Sequence, residues 1–265
     1  SIATEEYVKK ANDLGLEVWG LVDDFNTEVS MYELLSHTSR RETLSNTLVE
    51  AALKYKLNGI NIDFEKISSD TGIHFIQFLR ELSVKCRNNG IVLSVDNYVP
   101  MPYTAYYDRE EQGKIVDYVI TMAYDEYHAG SEVAGPVASI GFVKDAVNNT
   151  LAEVPKEKTI IAIPFYTRLW KETADGEVSS ESFSMTPAEN ILKENEAEPI
   201  WDEAYGSYYA EYEKDGTVYR MWQEEDKSIE EKLKVIYDAD VAGIAAWKLG
   251  LEKESTWNVI TRYFE

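Results

Sequence analysis

A chain of 265 residues with 44% hydrophobic and 28% charged residues has the make-up of one large globular domain, or one domain carrying an insertion, and excludes long disorder. Its 26 basic and 48 acidic residues give a net charge of −22, which repels phosphate backbones and anionic membrane surfaces, so no nucleic acid is expected as a partner. Neutral substrates such as glycans stay open, no apolar run approaches the roughly 20 residues of a membrane span, so no membrane insertion is expected, and one cysteine (Cys86) with three histidines (His37, His74, His128) argues against disulfides, Cys-rich sites and multi-His metal centres.

In chain order, residues 4–14 read as a helix capped by Thr4 and stopped by Gly15, with Tyr7, Val8, Ala11 and Leu14 as its stripe. A short apolar strand follows over 16–22. Residues 40–56 form an amphipathic helix through Leu44, Leu48, Ala51, Ala52 and Tyr55, and 57–65 a strand. Residues 70–88 form a helix through Phe75, Phe78, Leu79, Leu82 and Cys86, ending at Gly90. Strands are predicted at 91–96, 116–124, 159–165 and 241–247, with helices at 140–153, 228–239 and 255–264 and a helical turn near 106–113. Ser228 and Glu231 are placed as a capping box. Nearly all-apolar strands alternating with helices imply a parallel sheet covered by helices, in a (β/α) barrel or a doubly wound sheet. Residues 171–226 break the rhythm: a short helix over 187–194 precedes a hairpin whose turn is Lys214-Asp215-Gly216. The expected organisation is therefore an α/β barrel domain over 1–170 and 227–265 with a small α+β insertion over 171–226.

The chemistry is concentrated in Asn58-Gly59-Ile60-Asn61-Ile62-Asp63-Phe64-Glu65. Alternate strand residues share a face, so Ile60, Ile62 and Phe64 point to covering helices, and Asn61, Asp63 and Glu65 into a barrel or cleft. Three polar groups on a buried strand face are costly unless they are paired or used. Neighbouring carboxylates compete for a proton, and a protonated Glu65 at the strand end would be a general acid. A buried polar ladder that only fixes strand register is the structural alternative.

These residues resemble the D-G-x-D-x-D-x-E signature of glycoside hydrolase family 18, the chitinase-like enzymes, with Asn58 and Asn61 in place of the first two Asp. The N-I-D-F-E form is similar to the bacterial branch containing spore cortex-lytic and cell-wall N-acetylglucosaminidases. Met122-Ala123-Tyr124-Asp125 resembles the M-x-Y-D motif of the family's sixth strand, Ile163–Arg168 its seventh-strand segment, Gly243–Trp247 its eighth strand, and 171–226 its insertion domain.

The resemblance implies a TIM (β/α)8-type barrel and a retaining hydrolase of β-linked N-acetylglucosamine glycans, without a metal or other cofactor. In it Glu65 is acid and then base, and the substrate's own acetamide is the nucleophile. Asp63 orients the acetamide and stabilises the oxazolinium ion, and Tyr124 donates a hydrogen bond to the acetamide oxygen. Trp247 floors the sugar, with Asn61, Asp125, Glu126, Tyr166 and Arg168 as further substrate contacts. An amide at Asn61 cannot share a proton with Asp63 as the family's Asp does. Only one strand precedes the motif strand, so the first two barrel strands are missing, and the open edges imply chain rearrangement or a homodimer. Two readings compete with turnover: a glycan-binding relative of weak or no activity, and a metal-dependent barrel using Asp23, Asp24, Asp63, Glu65 and Asp125. The chain begins at Ser1 without a signal-like segment, and the substrate class implies an extracellular or cell-envelope location.

Overall fold

The computed structural model describes residues 4–26 and 28–264; residues 1–3, 27 and 265 of the expected barrel domain lie outside them. The elements run α1 (Glu5–Asp13), β1 (Trp19–Asp23), α2 (Met31–Leu35), α3 (Thr38–Tyr55), β2 (Gly59–Asp63), α4 (Gly72–Asn88), β3 (Val92–Tyr98), α5 (Arg109–Ile115) and β4 (Tyr118–Met122). There follow α6 (Ile140–Glu153), β5 (Thr159–Pro164), β6 (Tyr166–Glu172), β7 (Val178–Ser184), α7 (Met185–Glu194), β8 (Ile200–Asp202), β9 (Ser207–Lys214), β10 (Thr217–Gln223), α8 (Asp226–Asp238), β11 (Gly243–Trp247) and α9 (Glu254–Ile260). The chain divides into two compact units, one up to Thr121 together with Asn149–Thr159, the other Met122–Asn148 with the residues from Ile160 on.

In the first unit the strands lie in the order β1-β2-β3-β4, with β1, β2 and β3 parallel. Ile60, Ile62 and Phe64 enter a core with Phe75, Phe78, Leu79 and Leu82 of α4, all but fully buried, and Phe64 meets the rings of Phe75 and Phe78 at 5.9 Å each. Fully burying such side chains is worth about 1.5–3 kcal/mol each, which pins β2 with its polar face turned away from the helices. The sheet is strongly curled. In a flat sheet β1 and β4 would stand about 14 Å apart, three strand spacings, yet Trp19 and Tyr118 stack at 5.6 Å. A Cβ on Gly59 would lie 2.7 Å from the Trp19 ring, so the absent side chain makes room for this stack on the concave face. Asn61 and Asp63 share that face by strand alternation. β1 has no partner strand on its outer edge among the described residues, and Leu21 on it is exposed.

In the second unit β5 and β11 pair in parallel, and β7-β6-β10-β9-β8 form an antiparallel sheet. The hairpin turn is Asp215-Gly216, both with positive φ, between the paired Lys214 and Thr217. This is the backbone that suits the twist of a two-residue hairpin loop. Leu169, Ala210 and Met221 pack against Ala188 and Leu192 of α7. The buried Lys232 donates to both oxygens of Glu224, whose other carboxylate partner is Ser228 Oγ.

All six predicted parallel strands form, as β1 to β5 and β11. Three details differ from the sequence expectation. The antiparallel sheet begins at Tyr166, inside the stretch assigned to the barrel, because Tyr166–Glu172 pairs along its whole length with β7. The capping box of α8 is Glu225 with Ser228, each side chain serving the other's backbone N–H, rather than Ser228 with Glu231. The most buried residues of α3 are Arg41, Ser45, Val49 and Ala52; of the expected stripe Ala52 is in the core and Leu44 and Leu48 pack half-buried against it, the helix being rolled so that Arg41 meets Glu81 of α4.

Candidate functional site

Two groups of polar side chains stand out, one in each unit. In the first unit, Asp63 closes β2 and is 7% exposed, and its Oδ1 has no hydrogen-bond partner among the described residues. Burial raises its carboxyl to about 6, with the negative charges of Glu65, Asp24 and Asp23 adding to the effect. Glu65 lies two residues further on. Its backbone N–H and that of Lys66 donate to the two oxygens of the buried Asp24, at 3.0 and 2.7 Å. The phenol of Tyr98 donates to Glu65 Oε2 at 2.5 Å; burial and this bond hold the Tyr98 proton well above the usual phenol range. The ring of Tyr98 packs edge-on to Tyr107, whose own hydroxyl donates to the Phe64 carbonyl.

The third motif residue, Asn61, is buried and donates through Nδ2 to Ser94 Oγ and Asp96 Oδ1 of β3. Asn58, at the other variant motif position, accepts from Val18 N–H at 2.8 Å and ties the start of β2 to β1. The expected face assignment fits the burial of Ile60, Ile62 and Phe64 in the helix-side core, and Asp24, Asp96 and Tyr98 stand with Asn61 and Glu65 as their partners. Ser94, Asp96 and Tyr98 alternate along β3 as the motif residues do along β2, a pattern available in the sequence. Asp24 gives no such signal, since its role is a contact to a backbone some 40 residues away.

In the second unit, Tyr166 donates to Asp125 Oδ1 at 2.5 Å, and Arg168 reaches the same oxygen at 3.7 Å. Tyr124 meets Tyr166 edge-on at 6.4 Å. Burial and the Asp125 carboxylate hold the Tyr166 proton above the usual range. Arg168 also donates to Ser180 Oγ, and its Nε has no partner. Glu126 is occupied differently: it accepts from Ser139 N–H at 2.7 Å and Ser139 Oγ at 3.1 Å, so it anchors the residue before α6. Trp247 ends β11 and is 45% exposed; Gly243 and Ala245 precede it on the same face by alternation. Among the described residues no three or more His, Cys, Asp or Glu are grouped to hold a metal, and both Asp24 oxygens of the metal-dependent reading are taken by backbone N–H groups. Among the described residues no helix is long and apolar enough to cross a membrane.

The profile described as Glycosyl hydrolases family 18 matches residues 18–252. The putative sporulation-specific glycosylase YdhD of Bacillus subtilis is 30% identical over 236 residues, 86% of this chain and 55% of that protein. The cortical fragment-lytic enzyme of Bacillus subtilis is 27% identical over 249 residues, 91% of this chain and 57% of that protein. The chain thus spans little more than half the length of these two relatives. The crystal structure of the Bacillus cereus spore cortex-lytic enzyme SleL superposes with a TM-score of 0.90 at 20% identity, covering 100% of this chain and 63% of that one. With the profile spanning all the strands from β1 to β11, the chain belongs to glycosyl hydrolases family 18.

Proposed function

We propose that this chain is the hydrolytic part of a retaining glycosidase that cleaves β-linked N-acetylglucosamine glycans, with Glu65 as general acid and base. The observation that carries the reading is the setting of Glu65. Its backbone is clamped by Asp24, its carboxylate is held by Tyr98, and it follows a buried Asp63 that has an unpartnered oxygen. A fixed carboxyl beside a second one of altered affinity for protons suits proton transfer to a leaving group.

In this reading Glu65 protonates the glycosidic oxygen, and the substrate's acetamide carbonyl attacks the anomeric carbon from the opposite face. The bond to the leaving sugar breaks and an oxazolinium ion forms, its positive charge facing Asp63. Glu65, now a carboxylate, takes a proton from water as it opens the ion, and configuration is retained. Tyr124 donates to the acetamide oxygen, Trp247 lies under the sugar, and Asn61, Asp125, Tyr166 and Arg168 belong to the substrate-binding set. Glu126 serves that set through Ser139 rather than by direct contact. The relatives named for sporulation and for cortical fragments favour peptidoglycan fragments over chitin, and with them an envelope or extracellular place of action. The second reading, a glycan binder of low turnover, is favoured by the outer edge of β1, which has no partner strand among the described residues.

The test compares the protein with Glu65→Gln on a chromogenic di-N-acetylchitobioside and on peptidoglycan fragments. The variant should lose at least about a hundredfold in kcat while retaining glycan binding. Equal rates in the two proteins refute the reading, and binding without turnover in both establishes the second.

A further inference from the structure

A second polar row stands beside the motif row, and the hydrolase reading uses only its Tyr98. Asn61 pairs with Ser94 in the β2–β3 register, which sets Ser94, Asp96 and Tyr98 alongside Asn61, Asp63 and Glu65. Asn61 joins the rows. Its Nδ2 donates at 3.0 Å to Ser94 Oγ and at 2.9 Å to Asp96 Oδ1. Both amide hydrogens are thereby committed to β3, and the two acceptors decide which way the amide is turned. Asp63 is in the opposite condition, buried with one oxygen unpartnered, an arrangement costly for an anion.

We propose that Asp96 is a positioning residue of the acid/base site: it fixes the Asn61 amide and shares a proton with Asp63, the part that the family's carboxylate at position 61 would take within β2 itself. The inference rests on the hydrolase reading.

The chemistry of the neighbourhood supports it. Asp63 and Asp96 lie side by side in the β2–β3 register, and neighbouring carboxyls do not ionise as independent acids. Burial raises Asp96 to about 7; the Asn61 hydrogen bond opposes the rise, and the charges of Asp63 and Glu65 add to it. Asp63, at about 6, feels Glu65, Asp24 and Asp23. Those four carboxyl groups come from the end of β2 and the residues just after it and from β1 and the loop after it, and β4 on the other side of β3 holds no charged residue. Tyr98, on Asp96's own strand, gives its proton to the Glu65 bond. With both carboxyls raised by burial and by neighbouring negative charge, the Asp63–Asp96 pair keeps a proton towards neutral pH, leaving one carboxylate for the positive intermediate and one neutral acid to hold Asn61.

The experiment measures kcat and KM against pH for the protein, Asp96→Asn and Glu65→Gln, with thermal melts of each. It also follows the aspartate carboxyl carbons by NMR in the protein and in Asp63→Asn. Asp96→Asn should melt no lower than the parent and keep KM within about threefold. Its kcat should fall about tenfold, and the ionisation near pH 7 should vanish from its profile. The Asp96 carbon should titrate near pH 7, and lower once Asp63 is an amide. An Asp96→Asn protein with the parent's kcat and pH profile overturns the proposal, as does an Asp96 carbon that titrates as an ordinary carboxylate in both proteins. If the parent and Glu65→Gln are equally inactive, the hydrolase reading falls, and the carbon titration alone decides whether the two aspartates share a proton.

Discussion

Asp63 shows what a single carboxyl in this setting does to stability. Its folded value is raised from 3.8 to about 6 by burial first and by Glu65, Asp24 and Asp23 after it. The folded protein therefore binds a proton that the unfolded chain has released. The stability this confers is complete below about pH 3.8, and it is lost as pH rises through about 6. A shift of about two units corresponds to at most about 3 kcal/mol. Asp63→Asn should accordingly raise stability at pH 7.5 by about 1–3 kcal/mol, with no gain at pH 3.5, while turnover collapses. Urea unfolding at the two pH values measures it; equal stability of the two proteins at pH 7.5 would mean that Asp63 is ionised without cost. Tyr98 makes the complementary case. Tyr98→Phe leaves the ring against Tyr107 and removes the one hydroxyl that holds Glu65 Oε2. Its kcat should fall about tenfold with KM and melting temperature nearly unchanged, and a loss confined to KM would assign Tyr98 to substrate binding.

Elements transmit the curl of the sheet to these residues, and the contact that records it is Trp19 on Tyr118 over Gly59. A methyl group at position 59 would sit 2.7 Å from the Trp19 ring, so Gly59→Ala must displace the indole or part β1 from β2. The cost should be about 1–3 kcal/mol, read by denaturant unfolding together with a red shift of tryptophan emission; an unchanged spectrum and stability would show that the stack yields freely. How far such features can be read beforehand depends on where their cause lies. β2 and α4 were legible because their periods are uninterrupted: Ile60, Ile62 and Phe64 meet Phe75, Phe78, Leu79 and Leu82. In α3 Leu44, Leu48 and Ala52 were legible in the same way, but Arg41 was not, since only the partner Glu81 makes it an inward residue. The strands β6, β7 and β8 lay hidden for a similar reason. Val178–Ser184 is largely polar and becomes a strand by pairing with β6. In the site, Asn61, Asp63 and Glu65 were conspicuous as polar residues in an apolar strand. The alternation of Ser94, Asp96 and Tyr98 was in the sequence too, but not its partners: the structure shows Asn97 turned to Gln112 while Asp96 meets Asn61.

For the molecule as a whole, the net charge of −22 opposes compactness. Most of its ion pairs, such as Lys9–Asp13, Lys114–Glu110 and Arg40–Glu33, involve exposed side chains and are worth about 0–1 kcal/mol each. Salt weakens them, but it also screens the far more numerous repulsions among the excess acids, as the Debye length shrinks from about 30 Å at 0.01 M to about 10 Å at 0.1 M. The melting temperature should thus rise with sodium chloride between 0.01 and 0.3 M, by about 2–6 °C. The pair Lys232–Glu224 escapes this screening, with side chains 0% and 1% exposed. Burial pushes the Glu224 carboxyl upward, and Lys232 and Ser228 pull against it. Lys232→Met removes the partner and leaves a carboxyl in an apolar interior, at a cost of about 3–5 kcal/mol. Paired with Glu224→Gln, the same change should recover most of that loss. Because the pair is dry, the penalty of Lys232→Met should be the same at low and high salt while the parent's stability climbs. A penalty that shrinks with salt would place the pair within reach of solvent.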